Sequence, residues 1–155
     1  MPADDGWFIL NLGELAWETM PGFGVWRGLG IGAHVHVLRP GEAPGYYHAE
    51  EAQEGFLVLS GECVAIVEGQ ERRRRRWDYL HSPPGTEHIT VGAGDEPCAI
   101  LMFGSPDPSR KVEWIANETA ARHGASVAKT TGQATEAYGD QPEPVRVRPP
   151  EPFAS

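Results

Sequence analysis

The sequence predicts an all-β domain of short antiparallel strands, and three observations lead there. Short apolar segments recur between turn signals at roughly 8–12-residue spacing, the pattern of a sandwich or barrel. Nineteen glycines and 14 prolines in 155 residues punctuate the chain too often for long helices. Hydrophobic residues at 40% and charged residues at 23% supply a packed core and argue against global disorder. The length suits one domain of roughly 100–150 residues with a tail rather than two domains.

The elements follow in order. Residues 7–12, WFILNL, read as an opening strand, followed by a Gly-rich approach from Pro21 to Gly32. AHVHVL (33–38) stops at RPGEAPG, GFLVLS (55–60) stops at Gly61, and CVAIV (63–67) stops at EGQE. Glu68 and Gly69 make a tight hairpin tip there. WDYLH (77–81) precedes SPPG, HITV (88–91) precedes GAGDEP, and CAILMF (98–103) precedes GSPDP. Asn117 caps a short helix from Glu118 to His123, which Gly124 ends through a left-handed residue. Five prolines between Asp140 and Ser155 bar a helix or a central strand, so this tail is either disordered or laid extended across a surface. The chain thus divides into residues 1–32, a barrel core at 33–107, a strand and short-helix extension at 108–139, and a Pro-rich tail at 140–155. No internal repeat is present.

A net charge of -9 disfavours nucleic acid and anionic membranes as partners. No apolar run reaches the ~20 residues of a membrane span. The start, MPADDGWFIL, is acidic where a signal peptide is basic, so the expected setting is cytoplasmic. Cys63 and Cys98 are too few for a disulfide framework, lack zinc spacing and read as small core residues. Arg72 to Arg76 would alternate faces on a strand; pairing with acidic residues, or blunting an exposed edge, accounts for them. A nucleic-acid patch would need interleaved aromatics. GLGIG (28–32) lacks the strand–helix context of a dinucleotide fingerprint.

The chemistry concentrates in residues 40–62, PGEAPGYYHAEEAQEGFLVLSGE. On a strand, His48 and Glu50 project to one face, and Glu54, Phe56 and Val58 keep the same parity. Downstream, PPGTEH sets His88 at the start of a strand just after a Pro-Gly turn. Two imidazoles and two carboxylates can then converge inside one barrel as a donor set for a divalent metal.

Through Gly41, His48, Glu54 and Gly61 this segment resembles the first cupin motif, G-x5-H-x-H-x(3,4)-E-x6-G. Pro83, Gly85 and His88 similarly resemble the second, G-x5-P-x-G-x2-H-x3-N. The spacer between them, residues 62–76, is short, as in small prokaryotic cupins. The stretches AARHGASV and EAY look like the C-terminal part of uncharacterised bacterial single-domain cupins, a subgroup with no assigned reaction. The resemblance covers roughly residues 30–105. It implies a cupin-type β-barrel jelly roll with a short C-terminal helix and Pro-rich tail. It also implies a homodimer formed by strand exchange or sheet packing, with Trp7–Leu12 as the candidate exchanged strand.

Carried over residue by residue, the resemblance implies metal ligation by His48, Glu54 and His88. Glu50 stands where the motif has its second histidine, Trp77 where the second motif opens with Gly, and Gly92 where it ends with Asn. Two histidines and one carboxylate resemble a facial triad with open positions. If Glu50 joined them, a divalent centre would fall from a net +1 to zero and become a weaker Lewis acid. Glu50 therefore ligates, or accepts a hydrogen bond from metal-bound water, or else points to solvent in a pocket without metal. The expected cofactor is one divalent ion, Mn, Fe, Ni or Zn. Tyr47, Gln53, Phe56 and His36 are candidate pocket residues, with Gln53 a donor to Glu54. His34 and His36 form a second H-x-H, which lies on the outer sheet face or lines the pocket mouth.

Three functions are compatible with this reading. The first is a metal-dependent enzyme, dioxygenase- or isomerase-like, acting on a small organic molecule. The second is a non-catalytic small-molecule-binding or sensing barrel. The third is an interaction protein using the Pro-rich tail.

Overall fold

The computed structural model describes residues 14, 17–20, 23–27, 32–104, 109–139, 145–150 and 152–153. Its strands are β1 (Trp17–Met20), β2 (Phe23–Arg27), β3 (Ala33–Leu38), β4 (His48–Glu50), β5 (Glu54–Ser60) and β6 (Glu62–Val67). They continue with β7 (Gln70–Arg75), β8 (Tyr79–Ser82), β9 (His88–Ala93), β10 (Cys98–Gly104) and β11 (Val112–Trp114). Helices α1 (Glu118–Arg122) and α2 (Ala134–Tyr138) precede β12 (Val145–Val147). Two antiparallel sheets result, one ordered β12-β1-β2-β3-β10-β5-β8 and the other β11-β4-β9-β6-β7. Among the described residues no helix is long and apolar enough to cross a membrane.

Alternation along the strands builds three apolar layers. Leu38, Phe56, Val58, Cys63, Cys98 and Ile100 fill the space between the sheets. On the far side of the five-stranded sheet, Tyr47, Ile66, Ile89 and Val91 are covered by Ala120 of α1 and by Ala125. On the far side of the seven-stranded sheet, Val35, Val37 and Ala99 pack with Trp17, joined at the margin by Leu101, Val147 and Phe153. Both cysteines are free and buried. Hydrogen bonding to Cys98 and burial push the Cys63 thiol up, so it serves as a core residue rather than a nucleophile.

Local signals in the sequence are realised in several places. Glu68 and Gly69 take φ values of 48° and 72°, both left-handed, as a two-residue hairpin turn between β6 and β7 requires. Asn117 accepts a hydrogen bond from the Ala120 N–H at 3.0 Å and starts α1, and Gly124 follows its end at φ 67°. The arginine run forms β7, an edge strand. Arg73 pairs with Glu62 on the exposed side, while Arg74 turns inward, 14% exposed, toward Asp78 at 3.9 Å. A charged edge of this kind resists pairing with another chain.

Elsewhere the structure differs from the expectation, adds detail to it, or does not describe the residues concerned. Residues 7–12 lie outside the described residues. The stretch read as a Gly-rich approach contains β2, paired to β1 on one side and β3 on the other, with Gly24 opposite both Thr19 and Val37. A ladder on both sides outweighs the low strand preference of glycine. The strand read as 77–81 begins two residues later. Trp77 instead sits in the turn at φ 74°, donating its N–H to Val58 O at 2.8 Å. From the C-terminal segment, β12 adds to the edge of the larger sheet through β1, and Phe153 meets Trp17 with ring centroids 5.0 Å apart.

Candidate metal centre

Three strands deliver the donor atoms. His48 opens β4 and His88 opens β9, and the two are direct cross-strand partners, with ring centroids 4.8 Å apart. Glu54 opens β5 in the other sheet, reached from β4 through residues 51–53. The turn at residues 83–86 is tied to β4 by Gly85 N–H donating to Glu50 O at 2.7 Å, which fixes where β9 begins.

Backbone carbonyls orient both rings. His48 Nδ1 lies 2.7 Å from Tyr46 O, and His88 Nδ1 lies 2.9 Å from Thr86 O and 3.2 Å from Ser82 Oγ. A carbonyl can only accept, so each Nδ1 carries a proton, and a ring without a second proton presents a lone pair at Nε2. His88 Nε2 and Glu54 Oε2 stand 3.0 Å apart, both buried, and neither has a hydrogen-bond partner. One donor atom from each of His48, Glu54 and His88 lies within 4.8 Å of the others. Two imidazole nitrogens and a carboxylate oxygen gathered this closely fit a divalent cation, which would satisfy the orphaned pair.

Glu50 is buried rather than turned to solvent. Its Oε1 is 3.5 Å from His48 Nε2 and its Oε2 is 2.8 Å from Arg110 Nε. Burial alone would raise its carboxyl, but hydrogen bonding to His48 and the charges of Arg110, His48 and His88 hold it below the usual carboxylate range. Burial alone would lower His48. Hydrogen bonds to Glu50 and the Tyr46 carbonyl, with the charges of Glu54 and Glu50, carry it above its ordinary value.

The remaining candidates divide by strand face. His36 and Phe56 line a small interior cavity beside His48 and His88, with Leu38, Ile100 and Met102. Phe56 meets His88 edge-on at 5.1 Å. His36 thus belongs to the interior, not the outer face, and His34 is half-buried with its ring 6.1 Å away. Tyr47 is not at the cavity. As the neighbour of His48 it points to the opposite face, fully buried under α1, with its hydroxyl accepting from Gly69 N–H at 2.9 Å. Gln53 is exposed, so it does not support Glu54. Sequence reasoning missed Arg110, Ser82 and Thr86.

On the outer side of Glu50 and Arg110 opens a groove of about 880 Å³, also lined by Gly85, Lys111, Glu113 and Trp114. Glu50 thus lines this groove with Arg110 and also reaches His48 of the donor cluster. Six residues, not the five of the first motif, separate Gly41 from His48. Gly41 still takes the left-handed φ of 83° and donates to Gly92 O at 2.8 Å.

Comparison with known proteins agrees with this architecture. Residues 34–104 match the family model described as Cupin domain. A cupin-superfamily sugar phosphate isomerase from Silicibacter pomeroyi is similar in structure at TM-score 0.56 and 24% identity, over 60% of this chain and 65% of that one. This chain therefore matches somewhat less than two thirds of that protein's length. A predicted oxalate decarboxylase from Thermotoga maritima has TM-score 0.56 and 15% identity, over 62% of this chain and 97% of its own. A putative sugar phosphate isomerase from Acidithiobacillus ferrooxidans has TM-score 0.52 and 17% identity, over 88% of this chain and 78% of its own. No curated protein matches in sequence. The two sheets, the motif residues on β4, β5 and β9, and the family match together show a cupin domain over residues 34–104.

Proposed function

We infer that the barrel holds one divalent metal ion through His48, Glu54 and His88 and acts on a small organic molecule, as a dioxygenase- or isomerase-like enzyme. The observation that carries this reading is the His88 Nε2–Glu54 Oε2 contact, 3.0 Å without a hydrogen bond, beside an Nε2 of His48. An ion bound there would supply Lewis acidity and open coordination positions, and Mn²⁺ or Fe²⁺ suits two imidazoles and a carboxylate best, with Ni²⁺ and Zn²⁺ also accommodated.

The chain's own residues supply the rest. Phe56, Leu38, Ile100 and Met102 keep the cavity apolar and exclude water from it. His36, on the same cavity wall, offers an imidazole able to hold or pass a proton. Ser82 and the Thr86 carbonyl fix the orientation of His88.

Metal analysis by mass spectrometry on untagged protein purified without chelators tests the reading. The expected result is near one equivalent of Mn, Fe, Ni or Zn, lost in His88→Ala. Protein that carries no metal and takes none up on titration would sink the metalloenzyme. A non-catalytic small-molecule-binding barrel would then stand.

A further inference from the structure

We propose that Arg110 is a positioning residue that holds Glu50 outside the coordination set, keeping the centre a three-ligand site with open positions. The inference rests on the metal-binding reading above. Glu50 has what a fourth ligand needs. It shares the inward parity of His48 on β4, its side chain is 8% exposed, and its Oε1 is 3.5 Å from His48 Nε2. Two donors each about 2.1 Å from one ion lie roughly 3.0–3.4 Å apart. Glu50 is therefore only tenths of an ångström from ligand distance to one member of the cluster.

What restrains it is the charge of the guanidinium, whose Nε sits 2.8 Å from the other carboxylate oxygen as an ion pair without a hydrogen bond, on the groove side. The backbone that presents Arg110 is itself fixed. Glu51 N–H donates to Lys111 O, and Lys111 N–H to Glu51 Oε2, both at 3.2 Å, and Val112 is the ladder partner of Glu50. Arg110 also matches the charge of Glu50, so a divalent ion held by one further carboxylate keeps a net +1. Released, Glu50 would complete a neutral, weaker Lewis acid and close one coordination position. Recognition of an anionic ligand by Arg110 is the weaker explanation, because Glu50, Glu51 and Glu113 outnumber Arg110 and Lys111 in the groove lining.

The test is the visible spectrum of full-length, metal-free protein titrated with Co²⁺, whose d–d bands report the ligand set. Parent and Glu50→Gln are expected to share one spectrum, since Glu50 is not a ligand while Arg110 holds it. Arg110→Met is expected to shift the bands and bind Co²⁺ about tenfold more tightly. The double variant Glu50→Gln/Arg110→Met should return to the parent spectrum, and Arg110→Lys should never leave it. Different spectra for parent and Glu50→Gln would overturn the proposal, and that comparison stands even if Arg110→Met does not fold. An Arg110→Met spectrum identical to the parent would overturn it as well. A parent that takes up no Co²⁺ instead overturns the metal-binding reading itself, a separate result.

Discussion

Tyr47 and His48 are chain neighbours that the strand pleat sends to opposite faces, and their chemistry divides accordingly. His48 turns toward the donor cluster, while Tyr47 is buried beneath α1 with its hydroxyl on the β6–β7 turn. Burial, opposed by the Gly69 N–H and reinforced by Glu87 and Glu68, pushes the phenol up to about 12. The unfolded chain ionises this group near its ordinary value of 10, so above that pH the unfolded state holds fewer protons than the folded one. Stability attributable to Tyr47 is therefore intact at neutral pH and declines between about pH 10 and 12. Tyr47→Phe should cost about 1 kcal/mol at pH 7, because the Gly69 N–H loses its acceptor. Above pH 10 the gap to the parent should close. Urea midpoints of the two proteins that fall in parallel through pH 10–12 would contradict this.

At the scale of elements, β9 shows why a departure from a motif can be structural rather than functional. Gly92 stands where the second cupin motif ends with Asn. A Cβ there would come within 2.2 Å of Arg39 O, against backbone that cannot swing aside. Gly92 also donates to Glu42 O at 2.8 Å, so strand and loop are in direct contact. Restoring the motif with Gly92→Asn is expected to destabilise the domain by about 2 kcal/mol or more in urea unfolding. An unchanged midpoint would show that the 39–42 loop gives way freely. The same scale explains what was legible in the sequence. His48, Glu50, Glu54 and His88 could be set on inward faces because period-2 parity is local and the turns beside them carry Pro and Gly. Tyr47 breaks that same parity, which rules it out of the cavity. Arg110 carried no local signal, because it reaches Glu50 only through the pairing of β11 with β4, a contact 60 residues distant in the chain. Strand β2 was hidden by glycines that read as turns, because its pairing with β1 and β3 leaves no mark in local composition.

Across the whole molecule, the segment matching the family model ends at residue 104, but the forces that hold it do not. Tyr47 N–H donates to Ala125 O at 2.7 Å, and Ile115 N–H donates to Tyr47 O at 2.9 Å. The strand that carries His48 is therefore bordered by the C-terminal extension on its open side. Tyr138 anchors α2 to the same region, its hydroxyl accepting from Tyr46 N–H at 3.2 Å and Trp114 Nε1–H at 3.1 Å. Cutting the chain after residue 104 would strip cover from Ile66, Ile89 and Val91, and remove β11 and Arg110 from Glu50. At roughly 25 cal/mol per Å² of apolar surface, uncovering several such side chains removes energy comparable to the whole stability of a domain. A 1–104 fragment is thus expected to show no cooperative thermal transition and no stoichiometric metal. Among the described residues, a 1–139 fragment loses β12, its Val147 packing and the Phe153–Trp17 contact, all remote from the donor cluster, so it should bind metal as the parent does and unfold at a lower temperature. Cooperative melting of the 1–104 fragment with one equivalent of metal would mean that the barrel is self-sufficient and its C-terminal cover dispensable.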